Sequence, residues 1–161
     1  MTRPSVSEPS LPTRPPPRQE CRITLVFTHL DHVGIAVRDL DEALTFYAST
    51  FDLRSVHEEV NEEQGVREAM LAVGESESCV QLLAPLGPDS PIAKFIDRAG
   101  PGIQQMAYRV VDIDATSRIL RSRGMRLLYD AAKRGTAGAR INFIHPHDAA
   151  GVLIELVEPP R

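Results

Sequence analysis

The strongest constraint on the fold is that the chain contains one stretch twice. DHVGIAVRDLD, Asp31 to Asp41, returns 73 residues later within GIQQMAYRVVDID, Gly102 to Asp114. The offset sets Gln105 over His32, Met106 over Val33, Ala107 over Gly34, Val110 over Val37, Asp112 over Asp39 and Asp114 over Asp41. A second pair of segments agrees: VQLLAP, Val80 to Pro85, falls over IELVEP, Ile154 to Pro159, at an offset of 74. A repeated supersecondary unit buries its apolar face against its copy. Equivalent positions of two copies paired about a pseudo-twofold axis then face each other across one cavity.

Local patterns supply the content of the unit. His29 to Val37 is β-branched or apolar with a period of two, which suits a strand. Asp39 stands at an N-cap position, Glu42 completes a capping box, and Leu40, Leu44, Tyr47 and Phe51 trace one helical face. Arg54 to Val60, Arg67 to Val73 and Cys79 to Ala84 read as three further strands. The first module, about 29–86, is therefore β-α-β-β-β. Ser90, Pro91 and Gly100 bracket a short linker helix, about 90–100, with N-cap, N1 and C′ chemistry in place. The second module, about 102–159, repeats the order: strand Ile103 to Val110, a capped helix from Asp112 to about Arg123 closed by Gly124, and strands near Met125 to Tyr129, Ile141 to His145 and Val152 to Val157. The expected fold class is α+β, with residues 23–161 forming a single domain.

Composition narrows the function. The chain has 161 residues, 42% of them hydrophobic, and no run of eighteen apolar residues, so a membrane partner is not expected. Six prolines fall within the first 20 residues, and residues 1–22 read as a disordered extension that cannot offset the entropy of ordering. A transit peptide is the competing reading, but Glu8, Glu20 and the proline breaks oppose it. A cytoplasmic location is expected ahead of the mitochondrial matrix. Four arginines and two glutamates lie within residues 1–22, leaving 14 basic and 20 acidic residues to the body. That acidic body argues against nucleic acid as a partner. Cys21 and Cys79 have no metal-type spacing and read as structural thiols in a reducing compartment.

His32 and Gln105 open the two modules; Gln81 and Glu155 close them. Each sits in otherwise apolar strand sequence, where an unpaired polar group is costly. Any one alone reads more simply as a hydrogen-bonded structural residue. Four at symmetric repeat positions read as a metal site, because one imidazole, one carboxylate and two amide oxygens suit an octahedral divalent ion with two positions open. Gln104, next to Gln105, should point to the opposite face of its strand. His145 and His147, split by Pro146, read as structural, His57 as a surface residue, and His29 as preceding the first strand. Glu58, Glu59, Glu62 and Glu63 read as a solvated acidic loop.

The segments LDHVGIAVRDLDEA, VNEEQGVREAML, VQLLAPLGPDSPIAKFI and RLLYDAAKRGTAGARINFIHP, followed by GVLIELVEP, carry a family resemblance. From roughly Leu30 to Pro159 the chain resembles the methylmalonyl-CoA epimerase family of the vicinal oxygen chelate superfamily. The resemblance implies a half-barrel-like mixed sheet around a metal site. His32, Gln81 and Glu155 would be ligands, and Gln105 would stand where the family usually carries a second histidine. Glutamine keeps a neutral donor there, so site charge is unchanged while affinity for softer ions falls. The implied cofactor is a divalent metal, cobalt first, with manganese, magnesium, nickel and zinc compatible. The implied reaction is a 1,1-proton transfer at C2 of an acyl-CoA substrate, with Glu68 and Glu155 as the two carboxylates. Strand alternation supports Glu68, which shares a face with Met70 and Ala72. Lys133, Arg134 and Arg140 flank the KRGTAGAR loop and would meet the CoA phosphates, although the loop reads equally well as a plain surface turn. A homodimer is also implied. Two other functions stay open on the same scaffold: a metal-free ligand-binding or sequestering protein, kept alive by Gln105, and a glyoxalase-like metal lyase.

Overall fold

The computed structural model describes residues 26–160. The proline-rich segment 1–22 and Cys21, and the expectations attached to them, lie outside the described residues. The elements are β1 (His29–Ala36), α1 (Leu40–Phe51), β2 (Ser55–Asn61), β3 (Val66–Ala72), β4 (Cys79–Pro85), α2 (Pro91–Ala99), β5 (Gly102–Arg109), α3 (Ile113–Ser122), β6 (Lys133–Arg134), β7 (Arg140–Ile144) and β8 (Leu153–Glu158), with single 3-10 turns at Thr136–Gly138 and Pro146–Asp148. All eight strands form one mixed sheet, ordered β2-β3-β4-β1-β5-β8-β7-β6, which curls into a half-barrel. β1 and β5 pair antiparallel at its centre, each has a parallel neighbour from its own module, β4 or β8, and antiparallel strands extend both ends.

The repeat explains the helices. Asp39 Oδ1 accepts from Glu42 N at 2.9 Å and Asp112 Oδ1 from Ala115 N at 2.8 Å, so each cap satisfies one of the free N–H groups of the first turn. Leu40 and Ile113, the first residues of α1 and α3 and repeat equivalents, are both buried on the outer face of the sheet. One joins Leu71 and Leu82, the other Val110, Leu120 and Leu156. α2 starts at Ser90, whose hydroxyl accepts from Ile92 N, and ends at Gly100 with φ 79°. Among the described residues no helix is long and apolar enough to cross a membrane.

Two expectations are corrected. Met125 to Tyr129 is not a strand. Only Leu127 bridges Ile144, because the buried Asn142 side chain takes the backbone bonds a ladder would use: its Oδ1 accepts from Tyr129 N and its Nδ2 donates to Tyr129 O. The acidic run is a loop only in part: Glu62 and Glu63 lie in an exposed turn, but Glu58 and Glu59 belong to the expected strand, now β2, whose alternation turns His57, Glu59 and Asn61 inward while Glu58 stays exposed.

The central β1–β5 seam carries two bulges. Leu30 pairs with Tyr108 and His32 with Ala107, leaving Asp31 extra on β1; Gly34 pairs with Gln105 and Ile35 with Ile103, leaving Gln104 extra on β5. Asp31 and Gln104 are repeat equivalents, each immediately before a site residue. Bulges of this kind re-aim side chains.

Candidate active site

Four adjacent central strands supply the polar cluster: Gln81 from β4, His32 from β1, Gln105 from β5 and Glu155 from β8. Register sets their spacing. Gly34 is flanked across the ladder by Gln81 and Gln105, and Ala107 by His32 and Glu155. Gly34 and Ala107 are repeat equivalents too, and their small size makes the room. A Cβ at Gly34 would lie 2.6 Å from Gln105 Cγ. All four polar residues are buried.

The Gln105 amide nitrogen donates to Glu155 Oε2 at 2.5 Å and to Gln81 Oε1 at 3.3 Å, and His32 Nε2 lies 3.5 Å from it. His32 Nε2 also lies 3.1 Å from Glu155 Oε2. Behind His32, Asp31 Oδ1 sits 2.9 Å from Nδ1, and Arg109 Nε donates to Asp31 Oδ2 at 2.8 Å. Burial works against an ionised Asp31, but the hydrogen bonds and charges of His32 and Arg109 outweigh it and hold the carboxyl below its usual range. Burial likewise opposes charge on His32, yet its bonds to Asp31 and Glu155 push it up to about 9.

Glu68, on β3 beside β4, joins the cluster through Gln81. Gln81 Nε2 donates to Glu68 Oε2 at 2.9 Å and to Thr136 Oγ1 at 3.0 Å, and the Thr136 hydroxyl donates to Glu68 Oε1 at 2.8 Å. These bonds use both protons of the Gln81 amide and leave its oxygen for the centre of the cluster. The two carboxylates thus stand at the ends of a bridge of two amides, Glu68–Gln81–Gln105–Glu155, along the wall of one cavity that Tyr129, Leu128 and Ile92 also line. Burial pushes Glu68 up to about 7; the Thr136 hydrogen bond opposes the shift, and the nearby Glu59 and Glu155 charges add to it.

The donor set fits a divalent cation. An imidazole nitrogen, a carboxylate oxygen and an amide oxygen already point at one place, and Gln105 can contribute its own oxygen by turning over an amide whose two ends have the same shape. Asp31, on the far nitrogen of His32, is the outer partner that orients a histidine ligand.

Other expected residues are placed differently. Gln104 does not turn away: the bulge lets it line the cavity, where its Oε1 is buried without a protein partner. Lys133 is paired with Glu63 at 2.8 Å and lies over the ring of Tyr129, a cavity-lining residue. Arg134 borders a shallow cleft with Glu59 and Glu62. Arg140 faces away, toward Asp114 of α3 at 2.8 Å and Glu158 at 3.2 Å, so the three cations do not converge. His145 caps the 146–148 turn through Nδ1, and His147 is exposed. Asp31, Arg109, Thr136 and Glu59 were not picked out from sequence. The repeat could have pointed to Asp31, because it precedes His32 as Gln104 precedes Gln105.

A doubled β-α-β-β-β sheet with polar residues on its four central strands defines a class, and residues 31–143 match the glyoxalase/bleomycin resistance protein/dioxygenase superfamily. Among solved structures, methylmalonyl-CoA epimerase from Mycobacterium tuberculosis is 60% identical, with TM-score 0.83 over 86% of this chain and 92% of that one. A methylmalonyl-CoA epimerase in complex with methylmalonyl-CoA and NH4+ is 44% identical, with TM-score 0.80 over 83% and 95%. The ethylmalonyl-CoA/methylmalonyl-CoA epimerase of Cereibacter sphaeroides is 36% identical over 79% of this chain and 95% of that protein. The chain belongs to the methylmalonyl-CoA epimerase family of that superfamily.

Proposed function

We propose that the chain interconverts the (2R) and (2S) epimers of methylmalonyl-CoA by a metal-assisted 1,1-proton transfer, with Glu68 and Glu155 as the two carboxylates. The observation that carries this reading is the amide bridge. It fixes a buried carboxyl near neutral pKa at one end of the cluster and a second carboxylate at the other, both on one cavity. Inversion at C2 needs a base on one face and a proton donor on the other, and such a pair supplies both roles in either direction.

The C2 hydrogen lies between a thioester carbonyl and a carboxylate, so its loss leaves an enolate. A divalent ion held by His32, Gln81, Gln105 and Glu155 would supply Lewis-acid stabilisation of that negative charge and a template for the two oxygens. Glu68 takes or gives the proton from its end of the bridge, with Thr136 and Gln81 holding both of its oxygens in place. Tyr129, Leu128 and Ile92 line the apolar part of the cavity, which limits water around the reacting carbon. On this reading Lys133 and Arg134 stay the cations that would meet the CoA phosphates, leaving their acidic neighbours to do so, while Arg140, paired with Asp114 and Glu158, leaves that set. The relatives support an acyl-CoA substrate, since one is described in complex with methylmalonyl-CoA. A homodimer in the cytoplasm, with cobalt the first ion to try, completes the proposal.

Deuterium incorporation at C2 of methylmalonyl-CoA in heavy water is the test. Incorporation is expected with the purified protein, is lost after chelation, and returns with cobalt. Folded protein that incorporates none under any of these conditions would overturn the reading in favour of a binding protein on the same scaffold.

A further inference from the structure

The two bulges of the β1–β5 seam are equivalent in the repeat but differ in what they carry. Asp31 is the extra residue on β1 and Gln104 the extra residue on β5, each directly before a residue of the polar cluster. Asp31 is engaged through both oxygens. Its Oδ1 lies 2.9 Å from His32 Nδ1, and its Oδ2 accepts from Arg109 Nε at 2.8 Å and from Arg109 Nη2 at 2.6 Å. Gln104 Oε1 is buried with no partner among the described residues. The repeat explains the difference. Arg109 and Ala36 are equivalents at the offset of 73 and occupy matching ends of the seam, paired with His29 and Gly102. Where the first bulge has a guanidinium within reach, the equivalent position for the second holds only a methyl group.

Behind His32 the partners run from the interior to the surface. Side-chain exposure is 4% for His32, 8% for Asp31 and 35% for Arg109. All three line a cleft that continues from the main cavity past Thr136, Ile141 and Glu155. A carboxylate this buried is costly to leave with one partner, so without Arg109 it would turn toward water in the cleft and release the ring. With Arg109 in place both carboxylate oxygens are fixed. Nδ1 is then the nitrogen that carries the hydrogen when the ring is neutral. Nε2, which faces Glu155 Oε2 at 3.1 Å, is the one left to offer a lone pair to the cluster. The row also crosses the seam, since Asp31 and His32 lie on β1 and Arg109 on β5.

We propose that Arg109 is a positioning residue for the ion site. Through Asp31 it locks the ring and tautomer of His32, which makes His32 the anchored donor of the set. Gln105, whose bulge lacks the equivalent pair, is the donor free to turn over. The proposal rests on the divalent-ion reading above. Arg109 acts only through Asp31 and needs no contact with ion or substrate.

Calorimetric titration of chelator-treated protein with manganese and with zinc reads the ion site directly. Nitrogen NMR of the His32 ring, with diamagnetic zinc bound, reports its tautomer. Asp31→Leu is expected to weaken both ions by about 10- to 100-fold, the usual weight of a ligand's outer partner. Arg109→Met, one step further out, weakens them by about tenfold and loses the fixed Nδ1–H signal. Gln104→Leu, the mirror of Asp31→Leu, leaves both affinities unchanged. In the Asp31→Asn protein, whose neutral amide needs no cation, Arg109→Met costs nothing further; this pair carries the test if the single Arg109 variant fails to fold. Unaltered affinity and an unaltered Nδ1–H signal in Arg109→Met overturn the inference. So does a further loss in the Asp31→Asn background, or an equal loss in Gln104→Leu, which marks a general loosening of the seam. No ion bound by the unaltered protein overturns the divalent-ion reading and this inference with it. Ion bound as expected, but no deuterium incorporated at C2, overturns the epimerase reading alone and leaves Arg109 in its role.

Discussion

A carboxyl 3% exposed and facing two other carboxylates holds its proton to about pH 7, and that single value shapes the pH profile. On the proposed mechanism the reactive enzyme carries one proton on the Glu68–Glu155 pair, and the rate constants kcat/KM for the two epimers are tied by their equilibrium constant. Both profiles must therefore have the same shape, and their apparent pKa values belong to the pair. Above about pH 7 the last proton leaves and neither face can be reprotonated, so kcat/KM is expected to fall with rising pH in both directions. Initial rates from each epimer between pH 5 and 9 check this; a kcat/KM that stays level or rises through pH 7 would remove Glu68 as the group that must hold the proton. The same shift acts on stability with a definite sign. A carboxyl whose folded pKa is raised above the usual 4.5 stabilises the fold fully below that value, and the contribution disappears as pH rises through about 7. Glu68→Gln, expected to lose activity by about 10²–10⁴-fold, should retain bound metal and lose this pH dependence. Glu68 was legible in the sequence because the family resemblance singled it out and alternation put it on one face with Met70. Glu59 was not, because its neighbour in an acidic run says nothing about which side of an edge strand faces inward. Thr136 was hidden in a glycine-rich loop whose partner lies 68 residues away.

Strands and turns explain why the site could be read from the repeat and where that reading stopped. Period-two alternation located the strands of the first module to within a residue or two, but it assumes an unbroken ladder. Each central strand breaks it once, at Asp31 and at Gln104. Alternation therefore sent Gln104 outward, and the bulge brings it back to the cavity wall with an unpaired buried oxygen. An acceptor without a protein partner on a cavity wall can meet a water or a ligand donor. Gln104→Leu is expected to raise KM for methylmalonyl-CoA by roughly two- to tenfold, the weight of one hydrogen bond, with kcat little changed; steady-state kinetics decides, and an unchanged KM would remove Gln104 from substrate binding. Gly34 has the opposite task, which is to be absent. A methyl group there meets Gln105 Cγ at 2.6 Å, and overpacking of this kind costs about 1–3 kcal/mol. Gly34→Ala should displace Gln105 and weaken divalent-ion binding measured by calorimetry, while the mirror substitution Ala107→Gly should spare it. The strand expected at Met125 to Tyr129 failed for a different reason: a side chain, Asn142, replaced the backbone partner, and hydrophobic pattern carries no trace of that exchange.

At the scale of the whole molecule, duplication makes function and folding the same question. His32 and Gln81 come from the first module, Gln105 and Glu155 from the second, and the β1–β5 seam is the contact that brings the halves into register. The second module also reaches back across the opening: Thr136 to Glu68, Ala137 to Glu59 and Lys133 to Glu63. The last of these is an exposed pair screened by solvent, so the clamp relies on the two buried or half-buried carboxylates. Neither half owns a complete ligand set, and each exposes its β1 or β5 edge without the other, an arrangement that disfavours independent units. An ion that binds only the assembled site stabilises the whole fold by RT ln(1 + [L]/Kd), about 2.7 kcal/mol at a hundredfold excess over Kd. Thermal unfolding is therefore expected to show one transition that moves upward as a unit when cobalt or manganese is added to chelator-treated protein, and to move back with chelator. In Glu155→Gln, which removes the proposed anionic ligand, the ion should no longer shift it. Two transitions, with only one responding to metal, would mean that a single module holds the ion and that the seam is not what builds the site.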